Sequence, residues 1–236
     1  MNHLAEIDEW INRYPCFDFF RTAAIPRDDM HRWILETEHW GYSDKPVYEL
    51  QVMFLGKTGY GKSTTLNKLV GSEVFETSDV SACTKELYCS MYRINAAVPT
   101  FFSVSDLPGI GESLAADVQY YQWYKEMLGY SQAAVYLLRA DQRDFSVDEE
   151  LFNSMFYSAS ERSKVIIALN YADKVEPVNR KTGLSSGQIA SLERKMDEVS
   201  RIFAFPSTDI LYYSATDGIN LEKLAAKIAE KLKGSI

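Results

Sequence analysis

The chain has 236 residues, of which 46% are hydrophobic and 25% charged. That balance excludes wholesale disorder and suits one large domain with a small accessory element. A net charge of -8 argues against general nucleic-acid binding, DNA included, through phosphate contacts. The three cysteines, Cys16, Cys83 and Cys89, are too few and too irregularly spaced for a disulfide framework or a zinc site.

The first residues, MNHLAEIDEW, carry acidic groups and lack a basic region before an apolar run, so they read as no signal peptide. With reduced thiols this predicts a cytoplasmic protein. Residues 1–46 form a helical extension and linker. Leu4, Ile7, Trp10 and Ile11 recur at helical spacing, Pro15 and Pro26 interrupt it, and Met30, Trp33 and Ile34 add a second apolar stripe. His3, His31 and His39 lie there without metal-like spacing.

From residue 47 to 236 the pattern alternates strand, loop and helix. Strands are predicted at 48–55, 86–94, 100–104, 133–138, 165–169 and 210–213. Helices are predicted at 62–70, 117–128, 145–157, 187–203 and 221–232. The runs 133–138 and 165–169 are short, apolar and rich in β-branched residues, as in strands buried on both faces. The longest apolar runs fall far below the ~20 residues of a membrane span. Membrane contact could therefore only be peripheral.

The strongest chemical signal is Gly56-Lys57-Thr58-Gly59-Tyr60-Gly61-Lys62-Ser63, a full match to G-x-x-x-x-G-K-S/T between a strand and a helix. Glycines let main-chain N–H groups wrap a polyanion, and the helix N-terminus adds its dipole. Lys62 is expected at the β- and γ-phosphates and the Ser63 hydroxyl on Mg²⁺; Thr64 completes the loop. Tyr60 either leans over the nucleotide or faces solvent.

Asp106-Leu107-Pro108-Gly109 gives D-x-x-G after a strand. Asp106 is expected to hold Mg²⁺ through water, and the Gly109 N–H to meet the γ-phosphate. Between these motifs, the polar stretch 78–85 offers Thr84 as a second hydroxyl ligand for Mg²⁺, engaged only when a γ-phosphate is present. Lys62, Thr84 and Gly109 are thus the catalytic candidates. Asn170-Tyr171-Ala172-Asp173 ends a later strand. There Asp173 would accept two hydrogen bonds from guanine, a pair adenine cannot donate. Ser214-Ala215 follows the last strand, where the Ala215 N–H would meet the base.

In this order the five elements resemble the guanine-nucleotide motifs of translation-factor-class P-loop GTPases, within the Era/TrmE-like group. SDVSACTKE, DLPGIGES, YLLRADQR and NYADKVEP are similar to the YfjP/YkfA-type bacterial predicted GTPases. The resemblance covers residue 48 to the C-terminus. It implies a Ras-like α/β G domain, a six-stranded, mostly parallel sheet with helices on both faces and one antiparallel edge strand. It implies GTP/GDP and Mg²⁺ as cofactors and hydrolysis of the γ-phosphate anhydride.

Two departures from the family bear on rate. Ile110 stands where Ras-like enzymes place a water-orienting glutamine. Gly59 stands where some relatives use an asparagine to bind an activating K⁺, so K⁺ activation is not expected. The resemblance therefore implies a Mg²⁺-dependent switch with slow intrinsic hydrolysis, accelerated by a protein partner or by self-association. The alternative is a nucleotide-dependent binding or assembly module with negligible turnover. Arg93, Arg139 and Arg143 are candidate arginine fingers, or merely solvated or salt-bridged arginines. Tyr171 replaces the lysine usual in the guanine motif, and its ring could cover the base by stacking.

Overall fold

The computed structural model describes residues 48–75, 77, 88–94, 100–111, 114–178 and 183–234. The expected helical extension over residues 1–46, with its tryptophans and histidines, lies outside the described residues, as does Thr84.

The chain begins with strand β1 (Tyr48–Leu55), whose residues from Leu50 onward are buried. It runs into the phosphate loop and helix α1 (Lys62–Val70). Gly71 ends α1 in the left-handed region, donating its N–H to Asn67 O at 2.8 Å, a conformation that favours glycine. The Asn67 side chain then stitches the next turn. Its Oδ1 accepts from the Val74 and Phe75 N–H groups, and its Nδ2 donates to Phe75 O.

Strands β2 (Tyr88–Ile94) and β3 (Thr100–Asp106) form an antiparallel pair. Helix α2 (Leu114–Tyr130) leads to β4 (Ala133–Arg139), and α3 (Ser146–Met155) with α4 (Ala159–Ser163) leads to β5 (Val165–Asn170). Helix α5 (Ser186–Ile202), β6 (Ile210–Tyr212) and α6 (Leu221–Gly234) complete the chain. The helix expected over 145–157 is α3, and the short α4 that follows it was not among the expected helices. Ser158 starts a fresh capping box, its hydroxyl accepting from the Glu161 N–H while Glu161 Oε2 accepts from the Ser158 N–H.

The six strands are ordered β2-β3-β1-β4-β5-β6, all parallel but for β2 at one edge. This is the Ras-like sheet expected from the sequence. From β1 the chain steps through α1 toward β3, then returns through α2 to β4 on the far side of β1. Right-handed crossovers taken in opposite directions place α1 and α2 on opposite faces. The crevice between the carboxyl ends of β1 and β3 is therefore a topological switch point, where α/β sheets bind ligands.

One side of the core is aromatic. Phe152 packs edge-on against Tyr136 and Phe203 at ring separations of 5.4 and 5.2 Å. Helix α6 buries Leu221, Leu224, Ala225, Ile228 and Leu232. Its exposed side reaches back through Lys231 to Asp209 at 2.7 Å. Among the described residues no helix is long and apolar enough to cross a membrane.

Candidate nucleotide site

β1 delivers residues 56–63 to the switch point as a tight loop around α1's first turn. Gly56, Gly59 and Gly61 have φ of 143°, 79° and 83°, values that favour glycine. A Cβ at Gly61 would come within 2.4 Å of Asn170 Nδ2. Gly61 is also the N-cap of α1, with no side-chain cap and no acidic residue in the first turn. The positive end of the helix is thus left for a ligand. Lys62 is buried and donates across the loop to Gly56 O at 3.3 Å and Lys57 O at 3.2 Å. Thr64 is half-buried in the first turn.

The Ser63 hydroxyl donates to Asp106 Oδ2 at 2.5 Å, so two residues 43 positions apart meet as an oxygen pair. Among the described residues no group of three or more His, Cys, Asp or Glu side chains could hold a metal. One carboxylate beside one hydroxyl suits Mg²⁺, which keeps waters and takes its other ligands from phosphates. The pair therefore fits the ion expected from the sequence.

Beyond Asp106 the chain lies on the phosphate loop. The Thr58 N–H donates to Ile110 O at 3.2 Å and its hydroxyl to Gly109 O at 3.1 Å. A Cβ on Gly109 would sit 2.4 Å from Thr58 N, so only glycine allows this approach. Tyr124, fully buried on α2, anchors the segment by donating to Pro108 O. Burial first, and the nearby Asp106 carboxylate second, push its phenol pKa well above the usual range.

The guanine motif joins the same loop through Asn170, which is 3% exposed. Its Nδ2 donates to Tyr60 O at 3.0 Å, and its Oδ1 accepts from the N–H groups of Tyr171 (2.8 Å) and Ala215 (3.1 Å). The Ala215 amide, expected to face a base, is thus already engaged by Asn170. Ser214 closes the neighbouring turn, its hydroxyl accepting from Asp217 N–H at 3.2 Å.

Asp173 follows in a short 3₁₀ turn, Ala172–Lys174. Its Oδ2 pairs with Lys174 Nζ at 2.9 Å, while its buried Oδ1 has no hydrogen-bond partner among the described residues. Burial works to raise the Asp173 pKa, but Lys174 and the Ser214 hydroxyl outweigh it and hold the carboxyl below the ordinary aspartate value. An ionised carboxylate with an orphaned buried oxygen is the acceptor that a base with two donors requires.

Tyr171 adopts φ 63° and donates its hydroxyl to Gly59 O at 3.0 Å. One ring face is covered by the Arg139 guanidinium, 4.2 Å from the centroid, which is itself held by Asp141 at 3.0 and 2.8 Å. Of the finger candidates, Arg139 is therefore committed, Arg143 is exposed, and the Arg93 side chain lies outside the described residues.

Tyr60 does not face solvent. It is buried, and its hydroxyl donates to Asp148. Asp148, beside Glu149 in the first turn of α3, was not among the residues singled out from the sequence. The signal was its phase, since it shares one helical stripe with the buried Leu151, Phe152 and Met155.

A profile of the 50S ribosome-binding GTPase family matches residues 51–171, from within β1 to the first two residues of the guanine motif. The chain belongs to this GTPase family. Two Escherichia coli K12 proteins are similar over most of this GTPase chain. YkfA is 31% identical across 74% of the chain and 60% of its own length, and YfjP 33% across 72% and 58%. The chain thus spans about three-fifths of the curated relatives it matches. The structure of Aquifex aeolicus Era bound to GDP and aluminium fluoride superposes with a TM-score of 0.62. It covers 78% of this chain and 57% of Era at 23% identity, which bears on the fold alone.

Proposed function

We propose that this chain binds GTP and GDP with Mg²⁺ and hydrolyses GTP slowly, as a molecular switch. The observation that carries the reading is the Ser63 hydroxyl set 2.5 Å from the Asp106 carboxylate at the N-terminus of α1. Ser63 and Asp106, joined by Thr84 in the GTP state, hold magnesium, which when bound draws charge off the phosphate oxygens. The loop amides and Lys62 bind the β- and γ-phosphates. The Gly109 N–H meets the γ-phosphate once the 109–110 segment lifts from Thr58. Asp173 selects guanine, with Ser214, Ala215 and Asn170 closing the base end of the site.

Ile110 supports a low intrinsic rate. Its side chain packs against the core and cannot orient a water as a glutamine would. A protein partner or a second copy would then supply acceleration. The same residue supports a second reading, a nucleotide-dependent binding module with negligible turnover.

Calorimetric titration with GTP and ATP, with Mg²⁺ and with a chelator, tests the binding. GTP alone should bind, and more weakly without the metal. Equal heats from both purines would defeat the reading. Single-turnover hydrolysis over a range of protein concentrations separates the two alternatives. A rate rising with concentration supports activation by self-association, and zero rate throughout with tight binding leaves the binding module.

A further inference from the structure

Between Gly56 and Gly61 every residue of the phosphate loop is held by another part of the chain. Thr58 is fixed by the 109–110 segment and Gly59 by Tyr171. Lys57 and Tyr60 share one anchor, Asp148 on α3. Asp148 Oδ2 accepts from Lys57 Nζ at 2.9 Å, from the Tyr60 hydroxyl at 3.2 Å and from Gln142 Nε2 at 3.0 Å. Its main chain is fixed as well, because the Tyr136 hydroxyl donates to Asp148 O at 2.9 Å.

The side chain of Asp148 is 0% exposed, whereas that of Lys57 keeps 23%. Burying a charge pair is costly, and an apolar contact of similar volume would stabilise a core as well or better. The second oxygen, Oδ1, is buried without a hydrogen-bond partner among the described residues, a further cost. Stability alone is therefore a poor reason for a carboxylate on this apolar stripe. What it does accomplish is geometric. One carboxylate oxygen, on a residue whose main-chain carbonyl is tied to β4, holds the side chains on both flanks of the loop's tip.

We propose that Asp148 is a positioning residue for nucleotide binding, holding the phosphate loop in its binding-competent shape through Lys57 and Tyr60. The inference rests on the nucleotide reading above. A loop that is competent for only part of the time binds more weakly in proportion to that fraction.

The test is the release rate and affinity of a fluorescent GDP analogue with Mg²⁺. It compares wild type, Asp148→Asn, Lys57→Met and the double variant, each scaled to the folded, binding-competent fraction. Asp148→Asn should weaken binding about tenfold, mostly through faster release. The double variant should be weaker than Lys57→Met alone by only about threefold, the share carried by Tyr60, and not by the full tenfold, because the Lys57 share of the Asp148 effect is already lost. A purely structural Asp148 would lower the melting temperature yet leave release from the folded fraction unchanged, and that result overturns the proposal. Should Asp148→Asn fail to fold, Tyr60→Phe removes one donor and keeps the charge pair. It should speed release about threefold, and an unchanged rate overturns the proposal equally. Absence of binding by wild type defeats the nucleotide reading and this inference with it. Wild-type binding with unaltered variants defeats this inference alone.

Discussion

Tyr171 and Gly59 meet across the mouth of the phosphate loop, the phenol donating to the glycine carbonyl at 3.0 Å. The guanine motif thereby touches the phosphate motif through a residue type unusual at that position. Tyr171→Phe keeps the ring and its Arg139 partner but loses the bond. Loss of about 1 kcal/mol should weaken guanine nucleotide binding by up to about fivefold and lower the melting temperature by about 3 °C. Titration calorimetry beside a thermal melt checks this, and an unchanged affinity would mean that the bond is incidental.

Asn170→Ala should affect folding more than Tyr171→Phe does. It strands the N–H groups of Tyr171 and Ala215 and the Tyr60 carbonyl. We expect a loss of about 3 kcal/mol, or roughly 10 °C in melting temperature. Scanning calorimetry without nucleotide measures it. A drop of only a degree or two would show that water replaces the amide.

Under the proposed function, Asp173 should set the pH response of base selection. Its folded pKa is depressed below the unfolded value. The ionised form therefore contributes stability that is present above the unfolded pKa and lost as pH falls through the folded one. Preference for GTP over ATP should hold from about pH 7 to about pH 5 and fail only below the usual aspartate range. Competition titrations across that range supply the check. A midpoint above about pH 5 would contradict the ionised-carboxylate account.

Gly109→Ala places a methyl 2.4 Å from the Thr58 amide nitrogen, against backbone that has little room to move. The 109–110 segment should be forced off the loop. Amide exchange at Thr58 should quicken by at least about tenfold, while the β-strands keep their protection. Hydrogen-exchange mass spectrometry reads both, and equal protection in variant and wild type would refute the contact.

Much of this was legible in the sequence because the relevant signals are local. Glycines with positive φ, the strand ending at Leu55 and the apolar runs of β4 and β5 depend on a few adjacent residues. The Ser63 and Asp106 partnership was also readable, since Asp106 ends β3 and Ser63 opens the helix that follows the neighbouring parallel strand β1. Relations between side chains remote in sequence were not. Tyr60 and Asp148 lie 88 positions apart, and nothing near Tyr60 distinguishes an inward ring from an outward one. Helix α4 was missed because it spans only five residues, too few for a periodic apolar stripe, and its Ser158 cap is a single hydroxyl.

The Asn170 amide has a consequence for how the site could be altered. It serves three stretches of main chain at once, and no single bond can be traded without disturbing the other two. A change of base preference sought by remodelling residues 170–173 would reach the phosphate end whether or not that was intended. Substitutions confined to the outer rim, at Lys174 or beyond, leave that junction intact and are the gentler starting point for redesign.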